Sequence, residues 1–193
     1  MLEMPKTDYH LDKDNPFYKR FYGRLPVKHV MALFKFTKES RIQNLLHKLK
    51  YKNHPEIGTM LGRLYGSELL DRAYKNEFEL IIPVPLHPSR KRTRGYNQSA
   101  EFGKGLSEVL DIPCREEFME RIVKTSTQTR KTKLNRWENV SEVFRVVRPE
   151  GIVNKKVLLV DDVITTGATL EACAKVLLEQ HCKDISIACI SAA

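Results

Sequence analysis

Val157-Leu-Leu-Val-Asp-Asp-Val-Ile-Thr-Thr-Gly-Ala-Thr-Leu170 is the stretch whose reading decides the fold. Val157 to Val160 form an unbroken apolar run of β-favouring residues, the pattern of a strand buried on both faces in a parallel sheet. Two adjacent carboxylates, Asp161 and Asp162, stand at its carboxyl end. A loop of Thr165, Thr166, Gly167, Ala168 and Thr169 follows. Leu170, Cys173, Ala174, Leu177 and Leu178 then recur at helical spacing. In open α/β sheets the carboxyl edge of such a strand is where ligands bind.

Each residue type in this loop has a physical use. Backbone N–H groups in a tight turn ahead of a helix make an anion nest, reinforced by the helix dipole. Gly167 lets the backbone turn and approach a phosphate with no Cβ in the way. The threonine hydroxyls add donors. The two carboxylates repel a bare phosphate, so they require a ligand that also carries vicinal hydroxyls or a magnesium ion. A ribose 5-phosphate satisfies both halves. The plainer alternative is a solvated Asp-Asp turn with Thr and Gly as loop formers. No G-x-x-x-x-G-K-[ST] and no G-x-G-x-x-G occurs, and Gly103-Lys104-Gly105 lies within a helical pattern.

Outward from this unit, Leu80-Ile81-Ile82 with Val84 predicts a short buried strand, and Ile185–Ile190 a last one. A helix is expected from Asn97 or Ser99 to Pro113, with Phe102, Leu106, Val109 and Leu110 inward. Phe118–Val123 and Val143–Val147 are weaker strand candidates. Upstream, Ile42, Leu45, Leu46 and Leu49 mark a helix in the segment beginning at Thr37, and Ile57, Leu61, Leu64 and Leu69 mark another after Pro55. Gly58, Gly62 and Gly66 lie four apart on that second helix, among charged residues, and predict close packing against a neighbouring helix. Residues 1–36, interrupted by Pro5, Pro16 and Pro26, give no clear pattern. Strands alternating with helices imply an α/β fold with an open, mostly parallel sheet flanked by helices. Residues 1–75 are read as an N-terminal helical or hood segment and residues 76–193 as the core.

The 193 residues carry a formal net charge of +9, which favours phosphate-bearing partners without choosing among them. Part of the excess is concentrated. Arg90, Lys91, Arg92 and Arg94 crowd a segment expected to be a turn, and from Arg121 to Arg136 there are six basic residues and no acid. Arginines hold phosphate oxygens in forked pairs, as suits a pyrophosphate; a nucleic-acid contact or a solvated patch is the alternative. The polar connection Lys124–Glu142 is long enough to suggest a lid or binding loop. Trp137, within it, is read as a packing residue. Cys114, Cys173, Cys182 and Cys189 form no C-x-x-C pair and are read as reduced interior thiols. No apolar core for a secretory signal and no membrane-length apolar stretch is present, and a cytoplasmic protein is expected.

Taken together, several segments resemble the ComF family of competence-associated, type I phosphoribosyltransferase-like proteins. They are P-V-P-L-H (83–87) with R-G-Y-N-Q-S (94–99), Gln128, the Arg136-x-x-Asn139 spacing with Phe144, V-D-D-V-I-T-T-G-A-T (160–169), and L-x-K-L-K-Y (46–51). The resemblance runs from about Arg41 to Ile190. It implies a type I phosphoribosyltransferase-like fold, binding of 5-phosphoribosyl-1-pyrophosphate (PRPP) with Mg2+, and pentosyl transfer to an acceptor the sequence does not identify. On this resemblance Asp161 and Asp162 would serve the ribose hydroxyls and, through water, the magnesium, and Thr165–Thr169 the 5-phosphate. Leu86, His87, Ser89, Arg90, Arg92 and Arg94 would serve pyrophosphate, and Arg130 and Arg136 a closing lid. Many relatives carry a zinc ribbon built of two cysteine pairs, and no such pairs occur here. Single-stranded DNA or competence proteins are the further partners implied, and a PRPP-responsive binding protein without turnover is the rival reading.

Overall fold

The computed structural model describes residues 4–72, 74–122 and 143–193. Its centre is β5 (Lys156–Ile164), whose residues Val157–Val160 are at most 1% exposed. β6 (Asp184–Ala192) lies on one side of it and β2 (Leu80–Pro83) on the other, both parallel. Beyond β6 lies β1 (His29–Lys35), also parallel, so the main sheet runs β1-β6-β5-β2. Residues 1–36, which give no clear pattern as sequence, thus contribute an edge strand of this sheet. Pro83 sits in β2, on the outer side of the order, where proline is tolerated.

Helices cover both faces, which is why the central strands read as continuous apolar runs. On one face lie α1 (Pro16–Phe21) and α6 (Ala168–Leu178), with Phe17, Phe21, Leu170, Cys173 and Leu177 packed among Leu159, Ile187 and Val30. On the other lie α2 (Arg41–Tyr51), α3 (Pro55–Asp71) and α5 (Gln98–Leu110), packed on Leu158, Val160, Ile190 and Met31. The first of these helices begins at Arg41 rather than at Thr37, because the Ser40 side chain caps it by accepting from the Gln43 N–H. Asn97 caps α5 in the same way, accepting from the Ser99 N–H, and its own amide donates to the Val84 carbonyl at 3.0 Å.

The glycines of α3 do face a neighbouring helix. A Cβ on Gly62 would lie 2.2 Å from the Phe102 carbonyl oxygen of α5, and one on Gly105 of α5 would lie 2.1 Å from the Thr59 carbonyl oxygen. The two backbones therefore touch, and this seam fixes how α5 presents its N-terminus to the sheet edge.

The remaining strands, β3 (Met119–Arg121) and β4 (Phe144–Val146), pair antiparallel outside the main sheet. They bracket the stretch 123–142. The segment at Arg90–Arg94 corrects the expectation of a turn: it is helix α4 (Pro88–Arg94). Pro88 presets the first helical φ, His87 caps it by accepting from the Ser89 N–H, and Gly95 ends it at φ +80°. No helix among the described residues is long and apolar enough to cross a membrane.

Candidate functional site

Asp161 and Asp162 lie within β5, three and two residues before its end, and neither is fully exposed. Expected at the strand's carboxyl end, both instead lie inside it and are held by helices from earlier in the chain. The two carboxylates have different partners. The Ser99 hydroxyl, at the head of α5, donates to Asp161 Oδ1 at 2.8 Å, and the Asp162 N–H donates to the same oxygen at 2.8 Å. Lys50 Nζ, in the last turn of α2, lies 2.9 Å from Asp162 Oδ2. Burial first, and then the neighbouring Asp162 charge, push the Asp161 carboxyl up to about 7. The hydrogen bonds from Ser99 and the Asp162 amide oppose that rise without cancelling it.

Past Ile164 the chain turns into α6. Gly167 heads this helix at φ +82°, in the left-handed region that L-residues avoid, and no side chain caps the helix there. A Cβ on Gly167 would lie 2.8 Å from Phe21 Cζ of α1, so the position is closed to a side chain by conformation and by contact. Asp161, Thr165, Gly167 and Thr169 line a small cavity of about 40 Å3. Thr165, Thr166, Ala168 and Thr169 are exposed around it, and Thr166 Oγ1 accepts from the Ala168 N–H at 3.4 Å. The threonine hydroxyls and the close-approach Gly167 at the head of α6 thus surround a small cradle. Arg20 of α1, stacked 4.1 Å over the Phe17 ring, donates to the Thr165 carbonyl oxygen and steadies the loop from outside.

A larger groove, about 600 Å3, opens between the end of α2 and helix α4. Lys50, Arg90, Arg92 and Arg94 line it with Tyr51, Ser89 and Tyr96, and no acid is among its lining residues. Arg94 is engaged: its Nη1 donates to Gln98 Oε1 at 2.8 Å and its guanidinium lies 5.0 Å from the Tyr51 ring centroid. Arg90 and Arg92 make no ion pair among the described residues. Leu86 and Arg92 also border a cleft of about 350 Å3 toward Glu116, Glu120 and Arg121 on the other side of α4. His87 acts as the cap of α4, its Nδ1 also 2.7 Å from Ser89 Oγ.

The residues singled out from sequence therefore fall into two adjoining places. Asp161 and the Thr165–Thr169 loop form the cradle, and Ser89, Arg90, Arg92 and Arg94 line the groove; the Lys50–Asp162 contact joins them. Gln128, Arg130, Arg136, Trp137 and Asn139 lie outside the described residues. Lys50, Ser99, Tyr51, Tyr96 and Arg20 were not singled out as site residues. The first four belong to the L-x-K-L-K-Y and R-G-Y-N-Q-S segments, so a signal existed for them. Arg20 had none.

Oxygen donors suited to magnesium are present in the two aspartates. No group of three or more His, Cys, Asp or Glu gathers among the described residues. A magnesium ion would take its remaining ligands from water and substrate phosphate, which is its ordinary habit, so the pair fits the ion.

Comparison with known proteins gives consistent relatives. The phosphoribosyl transferase domain family matches residues 96–193, just over half of the chain. Competence protein F of Haemophilus influenzae is 34% identical over 147 residues, covering 74% of this chain and 64% of that protein. The DNA utilization protein YhgH of Escherichia coli K12 is 32% identical over 149 residues, covering 76% of this chain and 65% of that protein. The chain thus spans slightly less than two thirds of the length of these relatives. Among solved structures, glutamine PRPP amidotransferase from Bacillus subtilis superposes with a TM-score of 0.52 at 18% identity, over 75% of this chain and 30% of that one. That likeness is one of fold.

Proposed function

We propose, for a chain that belongs to the phosphoribosyl transferase domain family and within it to the competence protein F family, that it binds Mg-PRPP and transfers the phosphoribosyl group to a nucleophilic acceptor. One observation carries this reading. A central strand presents two partly buried carboxylates and passes within a few residues into a glycine-headed anion cradle at the N-terminus of α6. That order of groups matches a ribose bearing a 5-phosphate.

In this reading the cradle N–H groups and the hydroxyls of Thr165, Thr166 and Thr169 hold the 5-phosphate. Asp161 and Asp162 accept from the ribose hydroxyls, and Ser99 fixes the orientation of Asp161. Arg90 and Arg92, with Arg94 behind them, face the pyrophosphate. The C1–O bond to pyrophosphate breaks, its electron pair leaves with the pyrophosphate oxygen, and the acceptor's lone pair forms the new bond to C1. The protein's share is positioning and neutralisation of the leaving charge by prearranged cations. Magnesium bound at Asp161 and Asp162 would supply further neutralisation of the phosphate oxygens.

A second reading is favoured by the acid-free groove and by the names of the relatives, which concern competence and DNA utilization. In it the chain senses PRPP, or binds single-stranded DNA, without turnover. Melting in the presence of Mg-PRPP tests what the two PRPP readings share. A ligand that binds only the folded state raises the melting temperature with concentration, and no shift at millimolar PRPP would remove both. Analysis of products with nucleobases and single-stranded DNA as acceptors then separates transfer from sensing.

A further inference from the structure

The L-x-K-L-K-Y segment is accounted for only in part by the proposed function, and its Lys50 is the least exposed of the ion-paired lysines among the described residues. Lys50 keeps 24% of its side chain exposed, against 39% for Lys28, 47% for Lys6, 48% for Lys155 and Lys175, 53% for Lys91 and 58% for Lys104. Its turn of helix is anchored on both sides. Leu49 is fully buried and its carbonyl accepts from the Tyr96 hydroxyl. Tyr51 lies against the Arg94 guanidinium. A lysine that served only the helix dipole, which favours cations in the last turn, would extend into water; this one is directed to Asp162 and into the groove lined by Arg90, Arg92 and Arg94.

Charge counting sharpens the point. Four cations line the groove with no acid among its lining residues, and of the four only Lys50 pairs with a carboxylate among the described residues, that of Asp162. An ammonium has three donors, and Asp162 uses one of them. Like charges gathered at one surface with so little compensation favour an anion between them. In PRPP the pyrophosphate on C1 is next to the hydroxyl on C2. A cation bonded to a carboxylate that holds the ribose diol is therefore within reach of that pyrophosphate by the connectivity of the ligand.

We propose that Lys50 is a pyrophosphate ligand, facing Arg90 and Arg92 across the groove and joining the diol end of the site to the leaving-group end. This rests on the reading of the chain as a PRPP-binding protein. The simpler rival is that Lys50 only neutralises Asp162.

Titration calorimetry of the full chain with Mg-PRPP, Mg-pyrophosphate and ribose 5-phosphate distinguishes them, using wild type, Lys50→Met and Lys50→Arg. Methionine keeps the apolar stem and removes the charge; arginine keeps the charge and guards against a folding defect. A lost hydrogen bond to a charged group corresponds to roughly tenfold or more in affinity. Lys50→Met is therefore expected to weaken PRPP and pyrophosphate by about that factor, to leave ribose 5-phosphate within about twofold of wild type, and to be largely rescued by Lys50→Arg. Ribose 5-phosphate weakened as much as PRPP would assign Lys50 to Asp162 alone and overturn the proposal, as would unchanged pyrophosphate affinity. Wild-type protein that takes pyrophosphate but not PRPP would overturn the parent reading without touching the role of Lys50.

Discussion

The cradle at the head of α6 encloses about 40 Å3 between Asp161, Thr165, Gly167 and Thr169, whereas the groove between α2 and α4 encloses about 600 Å3 beneath Lys50, Arg90, Arg92 and Arg94. Both suit anions, but by different physics. The cradle offers neutral donors at fixed positions, set by a left-handed glycine with Phe21 pressed against it. The groove offers charge on long side chains, several of them exposed. Recognition in the cradle should depend on shape and change little with salt. Recognition in the groove should weaken as salt screens exposed charges.

The largest expected effect falls where the two places meet. Replacing Asp161 and Asp162 together with Asn should abolish measurable PRPP binding, because amides replace the two carboxyl groups that the proposed function assigns to the ribose hydroxyls. Stability should move the other way for Asp161→Asn alone. Its carboxyl in the folded protein sits near 7, raised by burial and then by Asp162. The folded state therefore holds this proton more tightly than the unfolded chain, and this group's contribution to stability declines as pH rises from about 4 to about 7. Asp161→Asn should flatten that decline and melt no lower than wild type at pH 8. A large loss of melting temperature at pH 8 would make the carboxylate structural.

Next in size is Gly167→Ala. A left-handed conformation costs an L-residue about 1–2 kcal/mol, and the new Cβ would meet Phe21 Cζ at 2.8 Å. Ribose 5-phosphate and PRPP should both weaken, by about tenfold or more, with the same factor at low and high salt, while pyrophosphate is spared. The reverse pattern is expected for Arg90→Ala with Arg92→Ala. These two are better probes of the groove than Arg94, which is bonded to Gln98 and packed on Tyr51. PRPP and pyrophosphate should weaken at low salt and converge on wild type at high salt, with ribose 5-phosphate unchanged. Equal losses for all three ligands would erase the distinction between cradle and groove.

The smallest effect is expected from Arg20→Ala. Arg20 steadies the cradle through the Thr165 carbonyl oxygen and is exposed. Its loss should weaken ribose 5-phosphate by a few-fold, about 1 kcal/mol or less, without changing pyrophosphate binding. A loss as large as that of Gly167→Ala would mean that Arg20 touches the phosphate itself.

Much of this site could be read before any coordinates, and the reason is locality. The β5 strand, its two carboxylates, the loop and α6 are contiguous from Lys156 to Leu178, and hydrophobic periodicity and glycine placement report such short-range order directly. The Asn97 cap of α5 and the α3 glycines were legible for the same reason, since a cap and a four-residue spacing are local patterns. The α4 helix was missed because a run of arginines carries no apolar face; Pro88, the His87 cap and Gly95 define it instead.

By itself, the sequence determined an α/β sheet, a Thr- and Gly-bearing loop after the strand that carries Asp161 and Asp162, and a run of basic residues after a second strand. Only the tertiary structure decided what those acids experience. Pairing of β1 with β6 joins residues 29–35 to residues 186–192, a long-range contact that no local pattern encodes. Lys50 reaches Asp162 across more than a hundred residues of chain, and Ser99 reaches Asp161 across sixty-two. Burial, which only folding supplies, adds to the charge of the adjacent Asp162 and raises Asp161 toward 7. Protonation state and the order of the cations around the site are thus properties of packing rather than of spacing.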